Sequence, residues 1–377
     1  MAERIPPSYG SYLRLDELLS CQAPPDGAAG EQRPRALLHH DEMLFIVVHQ
    51  VYELWFRQVL HDLSRARDIL GQPERPEGER RVDEARIPRV TELLGRVNEI
   101  LRLCHDQFTV LETMPSVHFL AFRDALLPAS GFQSRQFREF EILTGLEDDE
   151  RVRDFGFDYD AMLGESERAV LATRRAEMSL KEAVFTWLAR TPVEIFFPGF
   201  GQAFLAAHQS YAAEQDALQA TNPRLTEELR AAARKRNDQQ RVALEAYLDA
   251  SGDAARRAHA AFLFIASYRE APLLRWPYTL LESVIEFEER LRLFRYRHAR
   301  MVERMIGFRI GTGGSSGVEY LDKTAMNYRV FGELLVGRSF LLNPALLPPL
   351  PHPDKLEFGI DTGLQRPAPR DTQGNAS

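Results

Sequence analysis

Between residues 41 and 66 the apolar side chains recur at helical spacing but do not keep to one stripe. Leu44, Phe45, Val47, Val48, Val51, Leu54, Trp55, Val59, Leu60 and Leu63 surround much of the cylinder, so a helix here needs cover on several sides. Further helices are available to provide it. Helical spacing recurs over 88–111, 117–126, 164–190, 226–248, 254–270 and 278–307, whereas alternating strand patterns and internal repeats are missing. The periodicity predicts an all-α fold.

Three stretches interrupt the pattern. Residues 71–80 are rich in Pro, Gly and charge and read as a surface loop. Residues 145–159 hold Glu147, Asp148, Asp149, Glu150 and Arg151 together, which reads as a second solvated connection. From Pro344 onward prolines recur into a polar tail over 344–377, expected to be disordered at its end. The charged, Ala-rich stretch 212–240 reads as a solvent-facing helical pair. A single domain over 1–343, with a charged helical insertion within 145–260, is therefore expected. The charge balance narrows the function classes. Forty-seven basic and 55 acidic residues, dispersed along the chain, give a net charge of −8, which argues against a nucleic-acid partner, since that needs a clustered basic face. Cys21 and Cys104 are too few for a disulfide framework. The first residues lack the apolar stretch of a secretory signal, and no apolar run reaches the roughly 18 residues of a membrane span. A soluble cytoplasmic protein is expected.

Four stretches carry candidate chemistry. Along 278–307 the apolar stripe runs Leu280, Val284, Phe287, Leu291, Phe294, and then meets His298, Met301 and Met305. Spacing puts His298 on the buried face and Arg295, Arg297, Arg300 and Glu303 on other faces. Such a histidine is either a satisfied core residue or an axial ligand to haem iron. His49 aligns with Phe45, Tyr52 and Phe56, placed to bond a buried ligand atom or simply a backbone carbonyl. His39, His40, Asp41 and Glu42 precede it without an HExxH spacing; they read as surface and capping residues, Asp41 being the N-cap. The Gly311–Gly317 segment lacks the lysine of a phosphate loop and reads as a linker or a mobile active-site loop, with Thr312 its β-branched hydroxyl. Phe119 and Arg123 share a helix face, suited to holding a carboxylate beside an aromatic wall, although taken by itself the pattern favours an ordinary surface arginine paired with Asp124 or Glu139.

Taken together these stretches resemble the tryptophan 2,3-dioxygenases. The resemblance is carried by Ser8-Tyr9-Gly10-Ser11-Tyr12-Leu13, His40-Asp41-Glu42 with Leu44-Phe45-Ile46, His49-Gln50, Tyr52-Glu53-Leu54-Trp55-Phe56 and Leu111-Glu112-Thr113-Met114. It continues through Ser130-Gly131-Phe132-Gln133-Ser134, Gln136-Phe137-Arg138, Arg295-Tyr296, His298 and Gly311 to Gly317. It implies an all-α enzyme with haem b, usually a homotetramer, that uses O2 as co-substrate to oxidise L-tryptophan to N-formyl-L-kynurenine. By the same resemblance His298 matches the axial haem-iron ligand, and His49 the distal histidine that meets the indole N–H. Phe45 and Phe119 match pocket aromatics, and Arg123 the partner of the substrate carboxylate. Thr312 matches a residue near the substrate ammonium, and Ser130 one beside the haem edge. Tyr12 and Leu13 match a segment completing a neighbouring subunit's pocket. Two other readings remain open at this level. One is a family member of natural-product biosynthesis oxidising a substituted tryptophan, with Val47, Val48 and Val51 altering the pocket wall and even a single oxygen inserted. The other is a non-catalytic haem-binding helical protein.

Overall fold

The computed structural model describes residues 8–24, 36–71, 84–127, 129–146, 162–309 and 317–357. Its α-helices are α1 (Tyr9–Leu13), α2 (Leu15–Leu18), α3 (Glu42–Leu70), α4 (Ile87–Leu111), α5 (Ser116–Arg123), α6 (Arg135–Thr144), α7 (Glu165–Arg175) and α8 (Leu180–Arg190). They continue as α9 (Val193–Phe196), α10 (Phe200–Thr221), α11 (Glu227–Leu248), α12 (Asp253–Ser267), α13 (Arg275–Ile306), α14 (Gly317–Asn327) and α15 (Gly332–Arg338). Among the described residues there is no strand, so the fold is all-α as the periodicity predicts.

The 29-residue α3 packs on α4, α6 and α8, and the 32-residue α13 packs on α4 and α14. The buried positions of α3 include Val48, Tyr52, Phe56, Val59, Leu63, Ala66 and Leu70, steps of three and four that keep one face continuously inside. Val47 and Leu54 stay exposed, so the cover on α3 is narrower than its composition suggests. On α13 the stripe Leu280, Val284, Phe287, Leu291 and Phe294 is buried and resumes at Met301 and Met305. Helices α3, α4 and α13 thus form the frame against which the remaining pieces settle.

Several boundaries differ from the periodicity. Residues 164–190 form two helices, because Ser179 accepts from the Glu182 amide while the Glu182 carboxylate accepts from the Ser179 amide, a reciprocal start for α8. Asp41 occupies the position before α3 without capping it. Helices α6, α14 and α15 were not legible from spacing; α6 is short and begins at Ser134, whose Oγ accepts from the Phe137 amide. Residues 344–357, at the start of the proline-rich stretch, lie against the body: Leu356 is buried, and the Tyr268 hydroxyl donates to the Pro348 carbonyl at 2.6 Å. At the other end Arg14, at φ 53°, turns the chain between α1 and α2, and Gln50 donates to the Cys21 carbonyl at 2.7 Å, tying this arm to α3. The charged segments at 72–80 and 147–159, and the end of the tail, lie outside the described residues. No described helix is long and apolar enough to cross a membrane.

Candidate active site

A cavity of about 340 Å³ opens where α3, α5, α6, α13 and α14 converge, within the range of small-ligand sites. One wall is the face of α3 bearing Phe45, His49, Tyr52, Glu53 and Phe56, the four-residue spacing read from the sequence. The opposite wall is α13, with Phe294, Arg295, His298, Met301 and Met305. Phe108 and Leu111 close one side, and Phe119 with Arg123 on α5 another.

The His49 Nδ1 lies 2.7 Å from the Phe45 carbonyl. A carbonyl can only accept, so Nδ1 carries the proton and Nε2 is left as an acceptor. Burial pulls the His49 pKa below its ordinary value, opposed by the bond to the Phe45 carbonyl and by the charge of Glu53. His298 is pulled down to about 4, first by burial and then by the charge of His49. Both imidazoles are therefore neutral at physiological pH. The His298 ring lies 5.5 Å from that of Phe108 at 10°, so the aromatic core fixes its plane while the residue still gives onto the cavity.

Phe45 sits 4.1 Å from the His49 ring and 5.7 Å from Phe119, and Phe119 meets Phe122 edge-on at 5.4 Å. Arg123, with 17% of its side chain exposed, stands among these rings and comes no nearer to Asp124 than 3.9 Å. Glu139, its other candidate partner, is bound to Arg135 and Arg174 at 2.8 and 2.7 Å. Arg123 thus lines the cavity while keeping Asp124 within ion-pair reach.

Ser130 lines the cavity and starts a single 3-10 turn, Gly131–Gln133, in a reciprocal cap with Gln133. Glu53 anchors that segment: Ser134 donates to its Oε1 at 2.6 Å and Gln136 to its Oε2 at 2.8 Å. Nearby, Glu141 accepts from Arg138 at 2.6 Å and from Arg295 at 2.8 Å, all three buried. Arg295 is therefore a correction. Spacing places it away from the buried face, yet its pairing with Glu141 and its position over the Tyr328 ring at 5.3 Å bring it inside. Arg297 and Arg300 do bond away from the cavity, to Glu112 and to Glu303 and Asp322.

The structure thus brings Phe45, His49, Phe119, Arg123, Ser130 and His298 to one cavity. Tyr12 and Leu13 are exposed and are not among its lining residues. Val47, Val48 and Val51 do not line it either. Thr312 lies outside the described residues. Sequence reasoning missed Glu53, Arg138, Glu141 and Arg295 as cavity residues. The available signals were Glu53 four residues after His49, Glu141 three after Arg138, and Arg295 three before His298.

A model of the family described as tryptophan 2,3-dioxygenase matches residues 2–341. "Tryptophan 2,3-dioxygenase 2" of Ralstonia nicotianae is 41% identical over 366 residues, covering 92% of this chain and 96% of the relative. "Tryptophan 2,3-dioxygenase" of Sorangium cellulosum is 38% identical, with 94% and 88% covered. "Tryptophan 2,3-dioxygenase" of Dictyostelium discoideum is 36% identical, with 91% and 86% covered. A family match over nearly the whole chain, and identity of this size along a chain whose cavity carries the paired histidines, lead to one conclusion: the chain belongs to the tryptophan 2,3-dioxygenase family.

Proposed function

We propose that this cavity binds haem b through His298 and that the protein uses O2 to insert two oxygen atoms across the indole 2,3-bond of L-tryptophan, giving N-formyl-L-kynurenine. The observation that carries this reading is a pair of neutral histidines on facing helices of one apolar cavity that also holds a guanidinium. The residues present fit a haem. A neutral imidazole in an apolar wall is the donor that haem iron takes, and His298 is one. The group's carboxylates would meet Arg138 and Arg295, which line the cavity beside Glu141. Bound there, haem supplies the activation of O2.

The chain's own contribution is binding, orientation and dryness. Arg123 pairs with the substrate carboxylate and fixes the amino-acid end, so that the indole has one way to lie. The His49 Nε2, left as an acceptor by the bond from Nδ1 to Phe45, takes the indole N–H. Phe45 and Phe119 flank the ring and exclude water. Ser130 is held at the cavity edge by the Glu53 clamp on its segment, and Thr312 completes the ammonium side. In the same reading the protein is a cytoplasmic homotetramer whose α1 arm enters a neighbouring subunit's site. The exposure of Tyr9 and Tyr12, at 78% and 75%, supports an arm that has its packing partner elsewhere. Oxidation of a substituted tryptophan draws support from no described residue of the cavity, and the similar relatives carry the dioxygenase name.

The test is anaerobic reduction of the haem-loaded protein followed by air and L-tryptophan, with product mass and near-ultraviolet absorbance recorded. A product heavier by two oxygen atoms is expected. Gain of one oxygen, or turnover only with a substituted tryptophan, overturns the dioxygenase assignment.

A further inference from the structure

We propose that His39, Asp41 and His118 form a second metal site, separate from the haem cavity, for a divalent late first-row cation of the zinc class. The motif before α3 reads from sequence as capping and surface, and the fold gives it a different role. Asp41 holds the position before α3 but keeps helical angles, φ −76° and ψ −6°, and its carboxylate caps nothing. The carboxylate is turned instead toward His118, on α5, whose Nδ1 lies 2.8 Å from Asp41 Oδ2 across 77 residues of sequence. The His39 ring folds over the same point, 4.5 Å from the His118 ring, with its Nδ1 accepting from the Asp41 amide at 3.1 Å.

One donor atom from each of the three side chains falls within 4.8 Å of the others. All three residues are half-buried, so an ion placed among them gives up part of its hydration while staying reachable from solvent. Two imidazoles with one carboxylate favour zinc-class cations over calcium or magnesium, which take oxygen donors. Three protein ligands leave a fourth position for water. The cation would take the place of the proton between His118 and Asp41, which passes to solvent, and the three side chains would close in around it.

The location gives the site a consequence. The Asp41 carbonyl accepts from the Phe45 amide at 3.1 Å, and His118 immediately precedes Phe119. An ion here ties the first turn of α3 to α5 and stiffens the Phe45–Phe119 wall of the cavity. Occupancy should raise the melting temperature by mass action, because the unfolded chain does not bring residues 39 and 118 together.

The experiment is titration of chelator-treated, haem-loaded protein with Zn²⁺ by calorimetry, with bound zinc and iron counted by elemental analysis. One zinc per chain beyond the haem iron is expected at micromolar zinc. His118→Ala and Asp41→Asn should each weaken it by at least about tenfold and remove the zinc-induced rise in melting temperature, with the Soret band unchanged. His39→Gln provides a third, milder variant should either of these fold poorly. Absence of saturable uptake at micromolar zinc, or uptake that all folded variants retain with unchanged affinity, overturns the site.

Discussion

His298 and His259 look alike in the sequence, each a single histidine on the apolar side of a long helix, and the structure separates them completely. On α12 the buried His259 ring is stacked 3.9 Å from Tyr247 at 8°. Its Nδ1 lies 2.7 Å from the Tyr247 carbonyl and its Nε2 3.1 Å from the Glu333 carboxylate, which also holds Lys181 at 3.2 Å. Every polar edge of that ring is taken by protein. On α13, His298 has aromatic neighbours and a cavity instead of such a cage. His259 is buried and His298 half-buried. What sets the proposed ligand apart is a desolvated nitrogen facing a cavity, since a protein does not normally bury a polar group without giving it a partner.

Exchanging each side chain for alanine gives the sharpest contrast. His298→Ala should lose haem and with it all turnover, read as loss of the Soret band and of product. His259→Ala should keep both per folded molecule while costing about 1–3 kcal/mol of stability, read as a lower urea midpoint. Full activity in His298→Ala would remove the ligand assignment. Next in size is Arg123→Leu. Loss of a charged contact in a desolvated pocket costs about 2–5 kcal/mol of substrate binding, or roughly thirtyfold to several-thousandfold in KM. A KM within twofold of the parent would return Arg123 to the surface pair with Asp124. Smaller again is His49→Ala. Its proposed role is to accept one hydrogen bond from the indole, worth about 1–3 kcal/mol, so turnover should slow by roughly five- to a hundredfold without vanishing. Complete inactivity with haem and substrate still bound would make His49 a base rather than an orienting acceptor.

The same contrast explains how far the sequence could be read. The helices with long apolar stripes, α3, α4 and α13, were legible because burial on one face writes itself into the spacing. Phe45, His49, Tyr52 and Phe56 were aligned correctly for that reason, as were Phe119 and Arg123. Short helices such as α6 and α15 offer too few turns to show a period, and the break between α7 and α8 depended on a cap signature at Ser179 and Glu182 within a continuous pattern. Arg295 was misplaced because spacing assigns a face without knowing which charges will find partners there; Glu141, 154 residues away, is what lets a guanidinium sit inside. Asp41 shows the same limit from the other side. Its position is that of a cap, and only the return of α5 reveals that its carboxylate is committed to His118. The chemical roles proposed for His49 and His298 came from family resemblance, since pattern alone favoured core packing.

The smallest expected effect lies at the His259 cage and depends on pH. Glu333 is pulled down to about 2 from an ordinary 4.5, first by the hydrogen bond from His259, with Lys181 adding to it and burial opposing. A carboxyl whose pKa is lower in the folded than in the unfolded chain stabilises the fold above the unfolded value, and loses that contribution as pH falls toward the folded one. The window is therefore pH 4.5 down to about 2. Because 45% of the Glu333 side chain is exposed, solvent screening keeps the contribution under about 1 kcal/mol. Glu333→Gln should accordingly narrow the fall in urea midpoint between about pH 5 and pH 3 while leaving the Soret band and turnover at neutral pH as they were. An unchanged fall in the variant would place the acid sensitivity elsewhere. Altered turnover at neutral pH would mean that the two histidine environments are coupled.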